Sequence, residues 1–296
     1  MKYLGMILLL FFAACDSDDQ ENDVPDVNGA NYALSNNSFT DTYSSVKGSL
    51  QAAGPVTIVA EVNHRSNAQG VGEDLKETRT IFFGNPALGT AFMQENQQAG
   101  LDLPQKIAVY TNGNDNAVLI YNSVDYLKNR HGVDPDTAPM VAMALENIAS
   151  NATGRSSTIN TSNVSRDQGV ITVDSDQSFD DTYASLITTL NSNAAISIVA
   201  ELDHQQNAAS VNLSLRPTRV VIFGNPTLGT PMLQESGNVS LDLPQKMLVY
   251  QDAAGNVKIA YNDASFIASR HGISQNDGLT TINNALSNLA EKAAGR

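Results

Sequence analysis

Apolar residues at Phe39, Tyr43, Val46 and Leu50 recur with helical spacing behind Ser38, which predicts a capped amphipathic helix stopped near Gly54. An almost unbroken apolar run over residues 56–62 then predicts a central strand buried on both faces. After a loop or short helix, Arg79-Thr80-Ile81-Phe82-Phe83 reads as a second strand. At Gly84-Asn85-Pro86 the period changes from two to about four: Asn85 suits an N-cap, and Pro86 a first helical residue, where a missing N–H costs nothing. Lys106 to Tyr110 and Val118 to Tyr121 flank Asn112-Gly113-Asn114-Asp115, predicting a β-hairpin. A short helix then ends at Arg130-His131-Gly132, with glycine as a left-handed stop.

The same pattern is written again 140 positions later. Ser178, Phe179, Tyr183, Leu186 and Leu190 repeat the first helix, residues 196–202 the apolar strand, and Phe223-Gly224-Asn225-Pro226 the strand-to-helix junction. Leu101-Asp102-Leu103-Pro104-Gln105-Lys106 returns as Leu241-Asp242-Leu243-Pro244-Gln245-Lys246, and Arg130-His131-Gly132 as Arg270-His271-Gly272. One module is therefore present twice. Beyond these glycines the repeat fades: Met140, Val141, Ala144, Leu145 and Ile148 are out of register with Leu279, Ile282, Leu286 and Leu289, so the final helices are expected to pack differently. The organisation read from the chain is a signal peptide at 1–14, an acidic tether at 15–30, modules at 31–151 and 169–296, and a Ser/Thr/Asn-rich linker at 152–168. The predicted class is α+β: two tandem copies of a mixed module, a sheet with helices packed on it, facing each other as a pseudo-dimer.

Composition narrows the function. Apolar content is 42 % and charge 16 %, which is globular, and the net charge of −14 disfavours nucleic acid and anionic headgroups. Cys15 is the single cysteine, which excludes an intramolecular disulfide and a thiolate metal cluster. Lys2, the apolar run from Leu4 to Phe12 and Ala13-Ala14 before Cys15 form a secretory signal too short to span a membrane. The layout resembles a bacterial lipoprotein signal, with Phe12 where that pattern prefers leucine, and it implies lipidation of Cys15. Asp16 to Glu21 then reads as a solvated tether. An acidic run in this place resembles a surface-export signal and Asp16 itself an inner-membrane retention signal; the outer membrane or cell surface is the preferred expectation.

The linked motifs resemble the DUF302 family, the second copy more closely through Glu201-Leu202-Asp203-His204, Leu215 to Arg219, Val249-Tyr250 and Tyr261-Asn262. The first copy departs at Lys76-Glu77 and over residues 65–73. The resemblance implies a small α+β fold and no established activity.

Candidate chemistry is sparse. All four histidines fall at two repeated positions, His64 with His204 and His131 with His271. Glu61 with His64, and Glu201 with His204, are weak metal candidates, because an extended strand turns the two side chains of each pair to opposite faces unless it ends or bulges near Asn63. The competing expectation pairs Glu61 with Arg79 and Glu201 with Arg219 across strands. His131 and His271 suit a helix end, where the dipole favours a cation and the ring can bond terminal carbonyls. Asn85 and Asn225 open helices that offer free N–H groups to an anion only weakly. Gln94 and Gln234 are expected to hydrogen-bond the Leu-Asp-Leu-Pro segment. No Gly-x-Ser-x-Gly or Ser-x-x-Lys nucleophile signature occurs, and no catalytic residue or cofactor is assigned. The reading is a lipid-anchored envelope binding or interaction protein, its partners the membrane, its own second module and an unidentified small ligand or envelope protein. The alternatives are a metal-dependent or hydrolytic enzyme at the Glu/His positions and a purely structural envelope protein.

Overall fold

The computed structural model describes residues 24–275 and 277–296; the signal segment and Cys15 lie outside them. The first module runs β1 (Ala30–Leu34), α1 (Phe39–Ala52), β2 (Thr57–Asn63), α2 (His64–Gly70), β3 (Thr78–Gly84) and α3 (Pro86–Glu95). A 3-10 turn (Gln97–Leu101) leads to β4 (Gln105–Thr111), β5 (Ala117–Asn122), α4 (Val124–His131), α5 (Ala138–Thr153) and the short β6 (Thr158–Ile159). The second repeats it as β7 (Val170–Ser175), α6 (Phe179–Asn191), β8 (Ser197–Asp203), α7 (His204–Ser210), β9 (Thr218–Gly224) and α8 (Pro226–Glu235). Its 3-10 turn (Gly237–Leu241), β10 (Gln245–Gln251), β11 (Val257–Asn262), α9 (Ala264–Arg270) and α10 (Asp277–Ala293) complete the chain.

Both sheets are antiparallel, in the orders β2-β3-β4-β5-β1-β6 and β7-β11-β10-β9-β8. Alternation along the central strands assigns their faces. Ile107, Val109, Leu119 and Tyr121 point into a core with α1, α4 and α5, while Ala108, Tyr110, Val118 and Ile120 point the other way and meet Leu241 of the second module. Reciprocally, Leu248, Tyr250 and Ala260 meet Leu101 of the first. Each module thus covers its partner's sheet with its own 3-10 turn, and the pseudo-dimer is closed by burial on both sides.

Several expectations change. β2 and β8 are edge strands, half-buried rather than central. Their apolar runs are continuous because Val59, Ala60 and Val62 pack against Val199, Ala200 and Leu202 of the other copy. The final helices occupy equivalent places, α5 against α1 and α10 against α6. Their buried positions Val141, Leu145, Ala149 and Ala152 match Ile282, Leu286, Ala290 and Ala293 at a spacing of 141, so a single inserted residue shifts the register and the repeat continues. The linker starts only after Thr153 and adds β6 beside β1. The tether ends early as well: Pro25 and Val27 are buried, and the Asn28 carbonyl accepts from Arg270 Nε at 2.9 Å.

Candidate functional site

Two clefts flank the junction between the modules, each opening where a Phe-Gly-Asn-Pro segment turns from strand to helix. Asn85 caps α3 by accepting from Ala87 N at 3.0 Å, and Asn225 caps α8 from Thr227 N at 3.0 Å. Gly84 and Gly224 lie against Pro104 and Pro244, where a Cβ would stand 3.6 and 3.4 Å from the nearest proline Cβ. These segments form the floor of each cleft and α5 or α10 the outer wall. The rim comes from the other module. His204, Gln206 and Asn207 close the first-module cleft, which measures ≈ 540 Å³; His64 and Asn67 close the second-module cleft, which measures ≈ 180 Å³.

His64 and His204 begin α2 and α7, behind the caps Asn63 and Asp203, and both are about 5 % exposed. His64 Nε2 meets Thr80 Oγ1 at 3.1 Å, and that hydroxyl donates to Ser240 O across the interface at 2.7 Å. Val220 stands where the first copy has Thr80, and His204 Nε2 has no partner among the described residues. Burial pushes both imidazoles down to about 4, so each is neutral at neutral pH.

The predicted Glu61–Arg79 and Glu201–Arg219 pairs do not form. Glu61 accepts from Tyr43 Oη at 2.9 Å and pairs with Lys47 at 2.7 Å, while Arg79 stacks over the Phe39 and Tyr43 rings. Glu201 accepts from Tyr183 Oη at 2.9 Å, and Arg219 pairs instead with Asp203 and Asp180 at 2.8 and 2.9 Å. β2 bulges between Ile58 and Ala60, leaving Glu61 facing α1, whereas His64 starts a helix turned toward the other module. Among the described residues no group of three His, Cys, Asp or Glu side chains could hold a metal. Gln94 and Gln234 also cross the interface rather than bonding their own Leu-Asp-Leu-Pro segment: Gln94 donates to Ser214 O at 2.8 Å, and Gln234 to Asp74 O at 3.0 Å.

His131 and His271 do end their helices, but they bond carboxylates rather than terminal carbonyls. His131 Nε2 lies 2.8 Å from Asp102 Oδ2, and His271 Nε2 2.9 Å from Asp242 Oδ2. Arg130 joins Asp102 at 2.7 Å and Arg270 joins Asp242 at 2.5 Å, while Lys106 reaches across to Asp242 at 2.9 Å. Burial alone would raise both carboxyls; on Asp102 the charges of Arg130 and Lys246 with the His131 hydrogen bond, and on Asp242 those of Lys106 and Arg270 with His271, hold them well below the usual range. Lys246 is different. Its Nζ lies 4.0 Å from Asp102 Oδ1, beyond hydrogen-bond reach, and burial, with Lys106 beside it, pushes the amine well below the ordinary lysine range. This sealed cluster is missing from the sequence reading. Its visible trace is a charge inside an apolar strand, Lys106 before Ile107-Ala108-Val109-Tyr110, repeated at Lys246.

A duplicated α+β module with composite clefts is thus the class defined by the fold. Residues 31–152 and 171–292 both match DUF302, a domain of unknown function, and the chain belongs to that family. It is similar to the fluoride-specific ion channel FluC 1 of Brucella suis, 31 % identical over 131 residues that cover 44 % of this chain and 51 % of that protein. FluC 1 of Brucella abortus is 31 % identical over 44 % of this chain and 48 % of its own length. The chain thus spans about half the length of these relatives. An uncharacterized DUF302 protein from Bacillus stearothermophilus, solved by crystallography, aligns over 43 % of this chain and 97 % of its own at 19 % identity and a TM-score of 0.36. Among the described residues, no helix is long and apolar enough to cross a membrane.

Proposed function

We propose that this protein is a lipid-anchored binding protein of the bacterial cell envelope, and that its ligand sites are the two composite clefts. One observation carries the reading: each cleft combines the Phe-Gly-Asn-Pro segment of one module with the histidine-led helix of the other. Concave sites lined by apolar groups with a few placed polar ones are the usual form of small-molecule sites, and about 300–1,000 Å³ is their common size. The larger cleft falls within that range, and the smaller, at ≈ 180 Å³, exceeds the roughly 150 Å³ of an engineered cavity that holds benzene. Neither lining contains lysine or arginine, so fluoride, the ion in the names of the Brucella relatives, is not the ligand proposed. A channel works in a membrane, which accords with an envelope setting for a related module. Lipidation of Cys15 accounts for the anchor, since each buried methylene of an acyl chain adds about 0.8 kcal/mol.

The test uses residues 24–296, which contain both cores, and the apolar dye N-phenyl-1-naphthylamine. Dye fluorescence should rise on mixing and be lost in the Ala144→Trp/Ala285→Trp double variant, whose indoles fill the clefts from exposed helix positions. An undiminished signal in that variant overturns the assignment of the clefts. Separately, Cys15→Ala should release the full chain from the membrane fraction, and unchanged fractionation removes the anchor from the proposal.

A further inference from the structure

The two copies differ in charge along one sheet edge. Glu61 and Glu201 are equivalent, and each accepts on Oε2 from a tyrosine hydroxyl of its module's first helix, Tyr43 or Tyr183, at 2.9 Å. Oε1 of Glu61 takes Lys47 at 2.7 Å. Ile187 stands where Lys47 does, so Oε1 of Glu201 pairs with no cation among the described residues, and Glu201 is exposed. The neighbouring arginine is engaged elsewhere: Arg219 pairs with Asp203 and Asp180, which replace Asn63 and Thr40. The first copy therefore sets two cations, Lys47 and Arg79, against the one carboxylate Glu61, and the second sets Arg219 against three carboxylates.

Glu201 and Asp203 line the larger cleft, whereas the smaller contains no acidic side chain. His204, about 5 % exposed, lines the larger cleft as well, and its Nε2 has no hydrogen-bond partner among the described residues. Burial keeps that ring neutral at neutral pH, so it sets no positive charge against an incoming cation. With neither lysine nor arginine in the lining, a carboxylate or phosphate head would meet repulsion there. A bare metal ion lacks the ligands it needs, since among the described residues no three His, Cys, Asp or Glu side chains gather to hold one. Phe83, Leu88 and Leu145 give the same cleft apolar walls, which suit an organic body.

We infer that the larger cleft binds an organic amine, its apolar body between Phe83, Leu88 and Leu145 and its ammonium head at the rim on Glu201, and that the smaller cleft does not share this preference. The inference rests on the clefts being ligand sites, as proposed above.

Hexylammonium, hexan-1-ol and hexanoate, titrated at pH 7.5 in competition with the dye, test it. Residues 24–296 carrying Ala285→Trp report on the larger cleft alone, and those carrying Ala144→Trp on the smaller. In the larger cleft hexylammonium should bind about tenfold more tightly than hexanol, the order expected of one charge-assisted hydrogen bond, and hexanoate more weakly than either. In the smaller cleft hexylammonium should show no advantage. Ile187→Lys restores the lysine of the first copy at a position outside both linings, and should bring hexylammonium to the affinity of hexanol with dye binding kept. Glu201→Gln should remove the same preference. A hexylammonium affinity no better than that of hexanol in the larger cleft, an equal advantage in the smaller, or a preference that survives Ile187→Lys and Glu201→Gln alike overturns the inference, while dye binding leaves the clefts as ligand sites. Failure of the dye and of all three compounds to bind removes both the inference and the reading beneath it.

Discussion

Arg130 of the first module donates through Nη2 to Asn262 Oδ1 of the second at 2.8 Å. The relationship is reciprocal, with Arg270 Nη2 reaching Asn122 Oδ1 at 2.7 Å. Each arginine also bonds the aspartate of its own module, and its Nε bonds a carbonyl at the entry to a module, Gln168 for Arg130 and Asn28 for Arg270. The interface is therefore fastened by buried charge-assisted hydrogen bonds that neither module completes alone.

Such a cluster is costly to break at one member. Asp242→Ala leaves Lys106 and Arg270 facing a buried void in charge, and should destabilise the protein by about 3–5 kcal/mol in denaturant titration. Lys246→Met should cost far less than Asp242→Ala, because burial and the neighbouring Lys106 push the amine well below the ordinary lysine range and its nearest carboxylate oxygen, Asp102 Oδ1, stands 4.0 Å away. Equal losses in the two variants would show that Lys246 is held as a cation within the network.

The modules should stay together when the chain between them is cut. Ser165 and Arg166 are exposed, between buried Val164 and Gly169 at the entry to β7. Fragments 24–165 and 166–296, produced together, should co-purify one to one and give a single-lobed scattering profile. Fragments that elute separately would mean that covalent linkage, and not the shared sheet faces, maintains the pair.

Acid should weaken the fold in two stages. His64 and His204 are buried at about 4 against an ordinary 6.5, so the unfolded chain takes up protons first as pH falls. Their contribution is complete above about 6.5 and declines toward pH 4, by up to about 3 kcal/mol per histidine. Below that, protonation of Asp102 and Asp242, whose folded values are depressed, removes the stability present above the ordinary carboxylate range. Urea midpoints measured from pH 7.5 to 4 should fall, and His64→Gln/His204→Gln should flatten the slope between pH 6.5 and 4. An unaltered slope would assign the acid sensitivity elsewhere.

Gly169 joins the linker to β7 with φ +68°, and a Cβ there would stand 2.0 Å from Phe266 Cγ. Gly169→Ala combines a left-handed backbone with overpacking against a ring that Arg130 also stacks on. A loss of about 3 kcal/mol is expected in denaturant titration. Gly255→Ala, also at positive φ but in open space on a hairpin, should lose less. Equal losses would mean that backbone conformation alone sets the cost.

Periodicity and repetition in the sequence determined the module, its duplication, the Asn85 and Asn225 caps and the glycine stops, because these depend on neighbours a few positions away. The repeat also placed His64 and His204 at equivalent strand ends. Tertiary structure alone decided that β2 and β8 are edge strands, since an apolar run records how many faces are covered and not what covers them. It decided that Arg79 stacks on rings while Glu61 turns to Lys47, because the Ile58–Ala60 bulge re-aims the strand. It decided that Asp102, Lys106 and Arg130 join Asp242, Lys246 and Arg270 in one cluster, through contacts between residues 132 to 148 positions apart across the interface. Above all it decided that the Phe-Gly-Asn-Pro segment of one copy lies opposite the histidine of the other. Pairing between copies leaves no local signal in the chain, and it sets which residues line each cleft.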